Sequence, residues 1–456
     1  MFIPNNVQVR LIRFIDFFPY LIKLIPLFIE LEKMMSVYKE LERRGFISNT
    51  TDPEIDKYLS ENKVAVYCGF DPTAESLHIG NLVPMMGLAH FQRYGHSVLP
   101  LIGGATGMIG DPSGKSEERN LQTIEQVRHN ADSIKKQMAF VMSFDGENPA
   151  VMVNNYDWTN KMTIIDWLRD VGKYFTVNYM MAKDSVKSRL SSDSGISYTE
   201  FSYMTLQSYD FLHLYRNNNC TVQFGGNDQW GNITAGLELI RRAENGKAFG
   251  MTFPLITTSA GEKFGKSAGN AVWLDVEKTS PYQYYQYWIN TTDEDVEKML
   301  KLFTFLDVDE IEKVCKEHAQ EPHRRIAQKL LAEEATKIIH GNNGLESALR
   351  ASKALFGGDL DGLSEKEILN IFNDIPSSSV LEKDLVEGVG ICDLLVDTNM
   401  QNSKGNARRL VQQGGCYINN KKVDDIDFKV NRSSLMHESL LVIRCGKKKY
   451  HLVTVK

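Results

Sequence analysis

Between about residues 64 and 253, short apolar runs alternate with longer stretches whose apolar residues recur at helical spacing. "KVAVYCGF", "HSVLPLIGGATG", "AVMVNNYDW" and "CTVQFGGNDQW" each read as a buried strand ending in Gly, Asp or Asn. "LVPMMGLAHFQRYG", "QTIEQVRHNADSIKKQMAFVMSF" and "TEFSYMTLQSYDFLHLYRN" lie among them and read as helices. Strands alternating with helices predict an α/β domain with a parallel sheet covered on both faces. Such sheets hold ligands at the carboxyl ends of their strands, where the polar and glycine-rich tips fall here.

After "GEKFGKSAGN" the strands stop. "SPYQYYQYWIN", "EDVEKMLKLFTFL", "VDEIEKVCKEHAQ" and "PHRRIAQKLLAEEATKIIHG" read as consecutive helices, which predicts a helical domain over 256–355. Residues 356–387, with "GGDLDGLS" and "DIPSSSV", read as a linker. From 388 to 456 two short helices and several strands suggest a small α+β unit. Residues 1–33 stand apart from the sheet-and-helix pattern of 34–255. "LIRFIDFFPYLIKLIPLFIEL" is apolar but is interrupted by Arg13, Asp16, Pro19, Lys23 and Pro26, which argues against a spanning helix. It has no A-x-A-like cleavage site. It reads as an extension that the folded protein does not require.

A chain of 456 residues calls for two to four domains. Its 42% hydrophobic and 24% charged residues are those of a soluble globular protein. A net charge of -6 excludes a uniformly basic nucleic-acid coat but leaves room for a local basic patch. Six cysteines are scattered without a C-x-x-C pair, which disfavours zinc ribbons and redox motifs, and a reducing compartment is expected.

Two stretches carry candidate chemistry. In "YCGFDPTAESLHIG" a strand breaks at a turn and a helical run follows. Such a junction aims backbone N–H groups at one point and favours an anion. Gly80 admits a nucleotide close to the backbone, and Thr73 and His78 can donate to phosphate oxygens. Alone, H-x-G is a weak signal, because a lone histidine is more often a satisfied structural residue. Downstream, "KFGKS" (263–267) puts Lys263 and Lys266 on a glycine-containing loop, where two ammonium groups can neutralise a polyphosphate or simply face solvent. Tyr203, Gln207 and Asp210 fall at i, i+4 and i+7, on one face of a helix. A buried carboxylate in that stripe needs a partner.

Together the two stretches resemble the HIGH and KMSKS signatures of class I aminoacyl-tRNA synthetases. "GGATGMIGDPSGKSEER", "DWLRDVGKYFTVNYMMAKDSVKSRL", "TEFSYMTLQSYDFLHLY" and "GGNDQWGNITAGLELI" narrow the resemblance to the bacterial-type tyrosyl branch, over nearly the whole chain from about Met35. It implies a Rossmann-like catalytic domain, a helical domain and an S4-like RNA-binding domain. It implies that Tyr67 and Asp210 bond the substrate hydroxyl, that Asp111, Tyr203 and Gln207 hold its ammonium, and that Gln229 lies near its carboxylate. Phenylalanine would leave Tyr67 and Asp210 desolvated and unpaired.

For ATP the resemblance implies Asp71, Thr73, His78, Gly80, Asn81, Gly226, Asp228, Lys263, Lys266 and Ser267. Lys115 and Arg119 join Thr73, His78, Lys263 and Lys266 as groups that stabilise the reacting phosphates. Asn81 stands where the first signature has its second histidine, and Phe264–Gly265 replace the middle of the second. Mg²⁺ is implied with ATP, without a dedicated protein site. Lys404, Arg408, Arg409, Lys421 and Lys422 are the candidate RNA contacts. Further expectations are tRNA(Tyr) as partner, a homodimer with 171–190 near its interface, no membrane association, and a cytoplasmic location, or an organellar one if 1–33 is a targeting segment. The competing readings are a tryptophanyl-type ligase, which the Tyr67/Asp210 pair disfavours, and a catalytically retired RNA-binding scaffold, which His78, Lys263 and Lys266 disfavour.

Overall fold

The computed structural model describes residues 36–111, 113, 123–190, 195–257, 259, 264–267, 270–355, 357–372, 375–446 and 449–455. The extension expected at 1–33 lies outside them. The chain forms two compact units: Met1–Ala271 with Asp293–Gln320, and Val272–Thr292 with Glu321–Lys456.

The first unit is built on strands β1 (Asn49–Thr50), β2 (Ala65–Phe70), β3 (Ser97–Ile102), β4 (Val153–Asn154), β5 (Cys220–Gly226) and β6 (Phe249–Phe253). Their order is β1-β6-β5-β2-β3-β4, parallel throughout except β1 against β6. Strand order reverses between β5 and β2. There the connections leave in opposite directions and open a crevice at the strands' carboxyl ends. β2 and β5 are almost wholly buried, as central parallel strands with both faces covered must be.

The covering helices are α1 (Val37–Arg44), α2 (Leu82–Arg93), α3 (Ile124–Met138), α4 (Tyr198–Asn218) and α5 (Trp230–Glu244). Helix α4 starts where the Ser197 side chain accepts from the Glu200 N–H, and ends at Asn219 in the left-handed region. Its Phe211, Leu212 and Leu214 pack with Tyr67, Leu99 and Leu101 of the sheet. Gly87 lets α2 lie against β5, for a Cβ there would sit 2.3 Å from Phe224 Cε1.

The helical stretch expected at 256–355 divides between the units. α6 (Pro281–Ile289) belongs to the second, α7 (Val296–Phe303) and α8 (Val308–Gln320) to the first, and α9 (Ile326–Leu355) to the second. The cause is which faces find apolar partners: α7 buries Met299, Leu300, Leu302 and Phe303, and Arg44 of α1 ties down its end.

In the second unit, β9 (Ser377–Val380), β11 (Cys416–Ile418), β12 (Lys421–Val423), β14 (Leu440–Cys445) and β15 (Lys449–Val455) form a sheet of order β12-β11-β14-β15-β9; β10 (Val389–Gly390) and β13 (Lys429–Val430) pair separately. Strands β7 and β8, in the first unit, are described with the site below. The segment 356–387 is packed rather than a free tether. Helix α10 (Glu365–Ile371) opens with a capping box of Ser364 and Glu367. Its Ile368 and Ile371 share a core with Ala351, Ala354, Leu440, Val442 and Tyr450. A second core gathers Leu385, α11 (Ile391–Asp397), α12 (Lys404–Gln412) and the inner face of the sheet.

Candidate active site

The crevice between β2 and β5 holds a cavity of about 250 Å³. Tyr67, Asp71, Asp111, Tyr203, Gln207, Asp210, Gly226, Asp228 and Gln229 line it, with Gly80 and Asn81 at one side. Four of these are carboxylates, and no Lys or Arg is among the described lining residues. The cavity is therefore built for a cationic group such as an ammonium.

At its base the Tyr67 hydroxyl is buried and has no hydrogen-bond partner among the described residues. Asp210, also buried, accepts from Trp158 Nε1–H (2.8 Å) at Oδ1 and from Asn155 Nδ2–H (2.9 Å) at Oδ2. A carboxylate has about four acceptor sites, so capacity remains for a ligand hydroxyl. Burial raises the Asp210 pKa to about 7; the two donors oppose the rise and the charge of Asp71 adds to it. Burial, and then the Asp210 charge, hold Tyr67 protonated well above the usual phenol range. A buried phenol without a partner costs ~1–3 kcal/mol, and a ligand carrying its own hydroxyl removes that cost.

The wall nearer solvent is a network. The Tyr203 hydroxyl donates to Asp71 Oδ2 (3.4 Å), and Thr106 Oγ1–H donates to Asp71 Oδ1 (3.1 Å). Gln229 Nε2–H donates to Asp111 Oδ2 (2.7 Å). Asn232 Nδ2–H reaches the side-chain oxygens of Gln207 and Gln229, each at 3.1 Å. Three residues here were not singled out from the sequence: Asn155, Trp158 and Asn232. Asn155 is the most connected, since its Oδ1 also accepts from the Ala105 N–H (2.7 Å) and its Nδ2–H also faces Thr106 Oγ1 (3.0 Å). Their only sequence signal is a polar tip after an apolar run.

The turn after β2 explains His78. It caps the short helical turn Ile79–Asn81: the Gly80 N–H donates to His78 Nδ1 (3.0 Å), and the His78 N–H donates to Asn81 Oδ1 (3.1 Å). With Nδ1 accepting, the neutral ring carries its proton on Nε2, which makes that atom a donor. A Cβ at Gly80 would stand 2.8 Å from His78 Cε1, so glycine keeps the imidazole in place. Asn81 thus has a structural job in the position where the signature has histidine.

The second signature comes to the first. Gly265 has φ +90°, and a Cβ on it would lie 3.4 Å from Ile79 Cγ2 and 3.5 Å from the Gly80 nitrogen. Phe264 anchors the turn by stacking on Phe303, 5.1 Å between centroids. Strands β7 (Lys266–Ser267) and β8 (Asn270–Ala271) pair just beyond. Lys115, Arg119 and Lys263 lie outside the described residues, as do the side chains of Lys266 and Ser267.

In the second unit Lys404, Arg408, Arg409, Lys421 and Lys422 are all exposed. Lys404 pairs with Asp393, Lys421 with Asp361 (3.1 Å) and Lys422 with Asp424 (3.8 Å). Arg409 donates to Asn406 Oδ1 (2.9 Å). Among the described residues no cluster of His, Cys, Asp and Glu could hold a metal ion, and no helix is long and apolar enough to cross a membrane.

Comparison with known proteins agrees with this geometry. Residues 59–357 match the family "tRNA synthetases class I (W and Y)", and 367–453 match the "Tyrosine--tRNA ligase SYY-like C-terminal domain". The chain is 51% identical to tyrosine–tRNA ligase 1 of Bacillus subtilis over 427 residues, 93% of this chain and 100% of that one. Among solved structures it resembles C-terminally truncated mitochondrial tyrosyl-tRNA synthetases. For Aspergillus nidulans the TM-score is 0.66 at 34% identity, covering 72% of this chain and 96% of that one. For Coccidioides posadasii it is 0.62 at 32% identity, covering 76% and 99%. A sheet with its cavity at the switch point, a histidine turn met by a KFGKS-type loop, and near-complete likeness to named ligases lead to one conclusion: the chain belongs to the class I tyrosyl-tRNA synthetases, enzymes that activate tyrosine with ATP and charge tRNA with it.

Proposed function

We propose that the cavity seats L-tyrosine with its phenol at Tyr67 and Asp210 and its ammonium among Asp111, Tyr203 and Gln207, leaving its carboxylate toward Gln229. The observation that carries this is the Tyr67 hydroxyl, without a hydrogen-bond partner among the described residues, beside a buried carboxylate in a cavity whose described lining has four carboxylates and no Lys or Arg. ATP lies across the His78–Asn81 turn, with Gly226 and Asp228 at the adenosine and Asp71 beside Thr73. The tyrosine carboxylate attacks the α-phosphorus, and pyrophosphate leaves. A ribose hydroxyl of the tRNA 3′ end then attacks the tyrosyl carbonyl, and AMP leaves. No protein nucleophile takes part, so the protein contributes position and charge. His78 Nε2–H and Thr73 donate to the phosphates. Lys115, Arg119, Lys263, Lys266 and Ser267 are assigned to the same task on the strength of the family match. Mg²⁺ arrives with the nucleotide, and no step is built on a protein-held ion.

The active form is proposed as a homodimer. Ile164, Ile165 and Tyr198 expose 68%, 66% and 75% of their surface, and Val177 and Met181, within 171–190, are exposed as well. An apolar surface of this kind calls for a partner. The second unit is proposed to bind tRNA through Lys404, Arg408, Arg409, Lys421 and Lys422 on an S4-like fold. The compartment is proposed as the cytoplasm, which the six free cysteines and the Bacillus relatives favour. Tyrosine-dependent exchange of pyrophosphate into ATP is the decisive assay. Exchange driven by tyrosine and refused with phenylalanine is expected; exchange that ignores the phenol hydroxyl would overturn the assignment of the pocket.

A further inference from the structure

A second cavity, of about 460 Å³, shares none of its lining residues with the first. Gly104, Arg128, Asn154, Tyr156, Asp157 and Lys161 are among its lining residues. Neighbouring residues of the chain serve the two cavities. Asn154 lines the outer one, whereas the next residue, Asn155, bonds Asp210 in the inner one. On β3's side Gly104 lines the outer cavity and Thr106 the inner. Both therefore lie at the same end of the sheet, one or two residues apart along the segments that follow β3 and β4.

The chemistry of the outer cavity is mixed in a particular way. Arg128 and Lys161 supply two exposed cations, and among the described residues no carboxylate pairs with either. The Arg128 guanidinium stands 5.6 Å from the centre of the Tyr156 ring. Asp157 and Asn160 add a carboxylate and an amide. Cations for a phosphate, a ring for stacking, and side-chain acceptors and donors for a base edge are the parts list of a single-nucleotide subsite. A cavity of about 460 Å³ has room for an unstacked nucleotide.

The reaction supplies such a group. The transfer step needs a tRNA 3′ ribose at the tyrosyl carbonyl, and the chain leading to that ribose must lie somewhere on this face. We propose that the outer cavity seats a nucleotide of the single-stranded 3′ tail of the tRNA, just upstream of the terminal ribose, with its base against Tyr156 and its phosphates at Arg128 and Lys161. This rests on the tyrosyl-transfer reading of the neighbouring site. Holding the upstream nucleotide fixes the direction from which the ribose arrives, which is where orientation enters the rate of the second step.

The test uses the full chain with Arg128→Gln and Lys161→Gln, singly and together, and Tyr156→Leu. Tyrosine-dependent pyrophosphate exchange reports the first step, and single-turnover transfer from preformed tyrosyl-adenylate to tRNA reports the second. Exchange is expected to stay within about twofold of the parent. Transfer at low tRNA concentration is expected to fall ~10-fold in the double variant and in Tyr156→Leu. Each lost cation should lower the slope of log affinity against log salt by about 0.7. Binding of a tRNA lacking its last three nucleotides supplies the discriminating arm. The parent should bind it more weakly than intact tRNA, and the double variant should bind the two alike. Normal transfer in the variants, or an equal loss of affinity for intact and shortened tRNA, overturns the proposal. Absence of tyrosine-dependent exchange in the parent chain would instead overturn the reading of the inner site.

Discussion

The carboxyl of Asp210 sits in the structure at a pKa of about 7, against an ordinary 3.8. At about 1.4 kcal/mol per tenfold in proton affinity, this rise of roughly three powers of ten is worth ~4 kcal/mol between its two protonation states. The groups facing it are Tyr67 on β2, Tyr203 on α4, Asn155 and Trp158 beyond β4, and Asp71 on the turn. Of these only Asp71 adds a like charge. A tyrosine phenol that donates to Asp210 favours the carboxylate, so tyrosine binding is coupled to loss of a proton. Below pH 7 the site must first ionise. The affinity for tyrosine should then fall up to tenfold per pH unit below 7 and level off above 8.

Asp210→Asn removes this titration and does a second thing. The amide presents one acceptor where the carboxylate served two donors, so either the Trp158 indole or the Asn155 amide faces an NH₂ group. That costs ~1–3 kcal/mol, and losing the charge-assisted bond to the phenol costs ~1.5–3 kcal/mol more. kcat/KM for tyrosine is expected to fall ~10²-fold or more, with KM for ATP little changed and the pH dependence of tyrosine binding flattened. Stability has its own sign. Because the folded pKa is raised, the parent's contribution from Asp210 is fullest below about pH 4 and is lost as pH rises through 7. Relative to the parent, Asp210→Asn should therefore gain stability across that window. Pyrophosphate exchange and urea midpoints from pH 5 to 8.5 read both effects. A parent enzyme whose tyrosine affinity is flat between pH 6 and 8 would refute the reasoning.

Asp210→Ala is expected to weaken discrimination against phenylalanine while sparing ATP affinity; unchanged discrimination in competitive exchange counts against the phenol assignment. Asn81→Ala removes the acceptor for the His78 N–H, which is worth ~1 kcal/mol as a cap. KM for ATP should rise several-fold while tyrosine binding holds; an unchanged KM for ATP would separate the cap from the nucleotide site. Arg44 is buried with Glu40 (2.5 Å) and donates to the carbonyls of Lys301, Thr304 and Leu306. Arg44→Ala strands a buried carboxylate and should cost ~3–5 kcal/mol in denaturant unfolding; a loss under 1 kcal/mol would contradict it. Deleting 388–456 strips Leu440, Val442, Tyr450 and Leu452 from the core around Ile368. The truncated chain should bind an apolar dye and fail to charge tRNA while keeping tyrosine-dependent exchange, since the cavity's lining lies wholly in the first unit; loss of exchange would join the two functions.

The sequence made some of this legible because periodicity fixes direction. Tyr203, Gln207 and Asp210 share a helix face for reasons internal to α4, and all three line the cavity. The apolar run 65–70 had to be a central strand, and β2 is buried as expected. Short elements gave no such signal. β4 has two residues and β1 two, too few for alternation to register, and β6 was not separated from its surroundings. Asn155 and Trp158 follow β4, so their roles depend on where a two-residue strand delivers them. Asn232 sits on α5 with a side chain that could as well have faced solvent. The division of the helices after 271 was illegible for a related reason. Amphipathic faces say that a helix packs, not which unit it packs with.

A ligase of this kind has to bind an ammonium and a triphosphate within a few ångströms of each other, and opposite charges held rigidly in one cavity would neutralise one another. The described part of the cavity presents only one of the two signs. The lining fixed by sheet ends and a helix face carries Asp71, Asp111, Asp210 and Asp228 and, among the described residues, no Lys or Arg. The four cations expected from the sequence, Lys115, Arg119, Lys263 and the side chain of Lys266, lie outside the described residues. The group that does face the phosphate side from the rigid frame is His78, whose Nδ1 is occupied by the Gly80 N–H, so it donates from Nε2 without a full charge. A neutral donor beside four carboxylates leaves their field intact for the ammonium, whereas a lysine in its place would discharge it. On this argument His78→Lys should preserve a cation near the phosphates yet raise KM for tyrosine several-fold, and His78→Asn, a neutral donor, should damage the rate of activation while leaving KM for tyrosine close to the parent's. Equal tyrosine KM values in the two variants would mean that the two charge environments are not coupled.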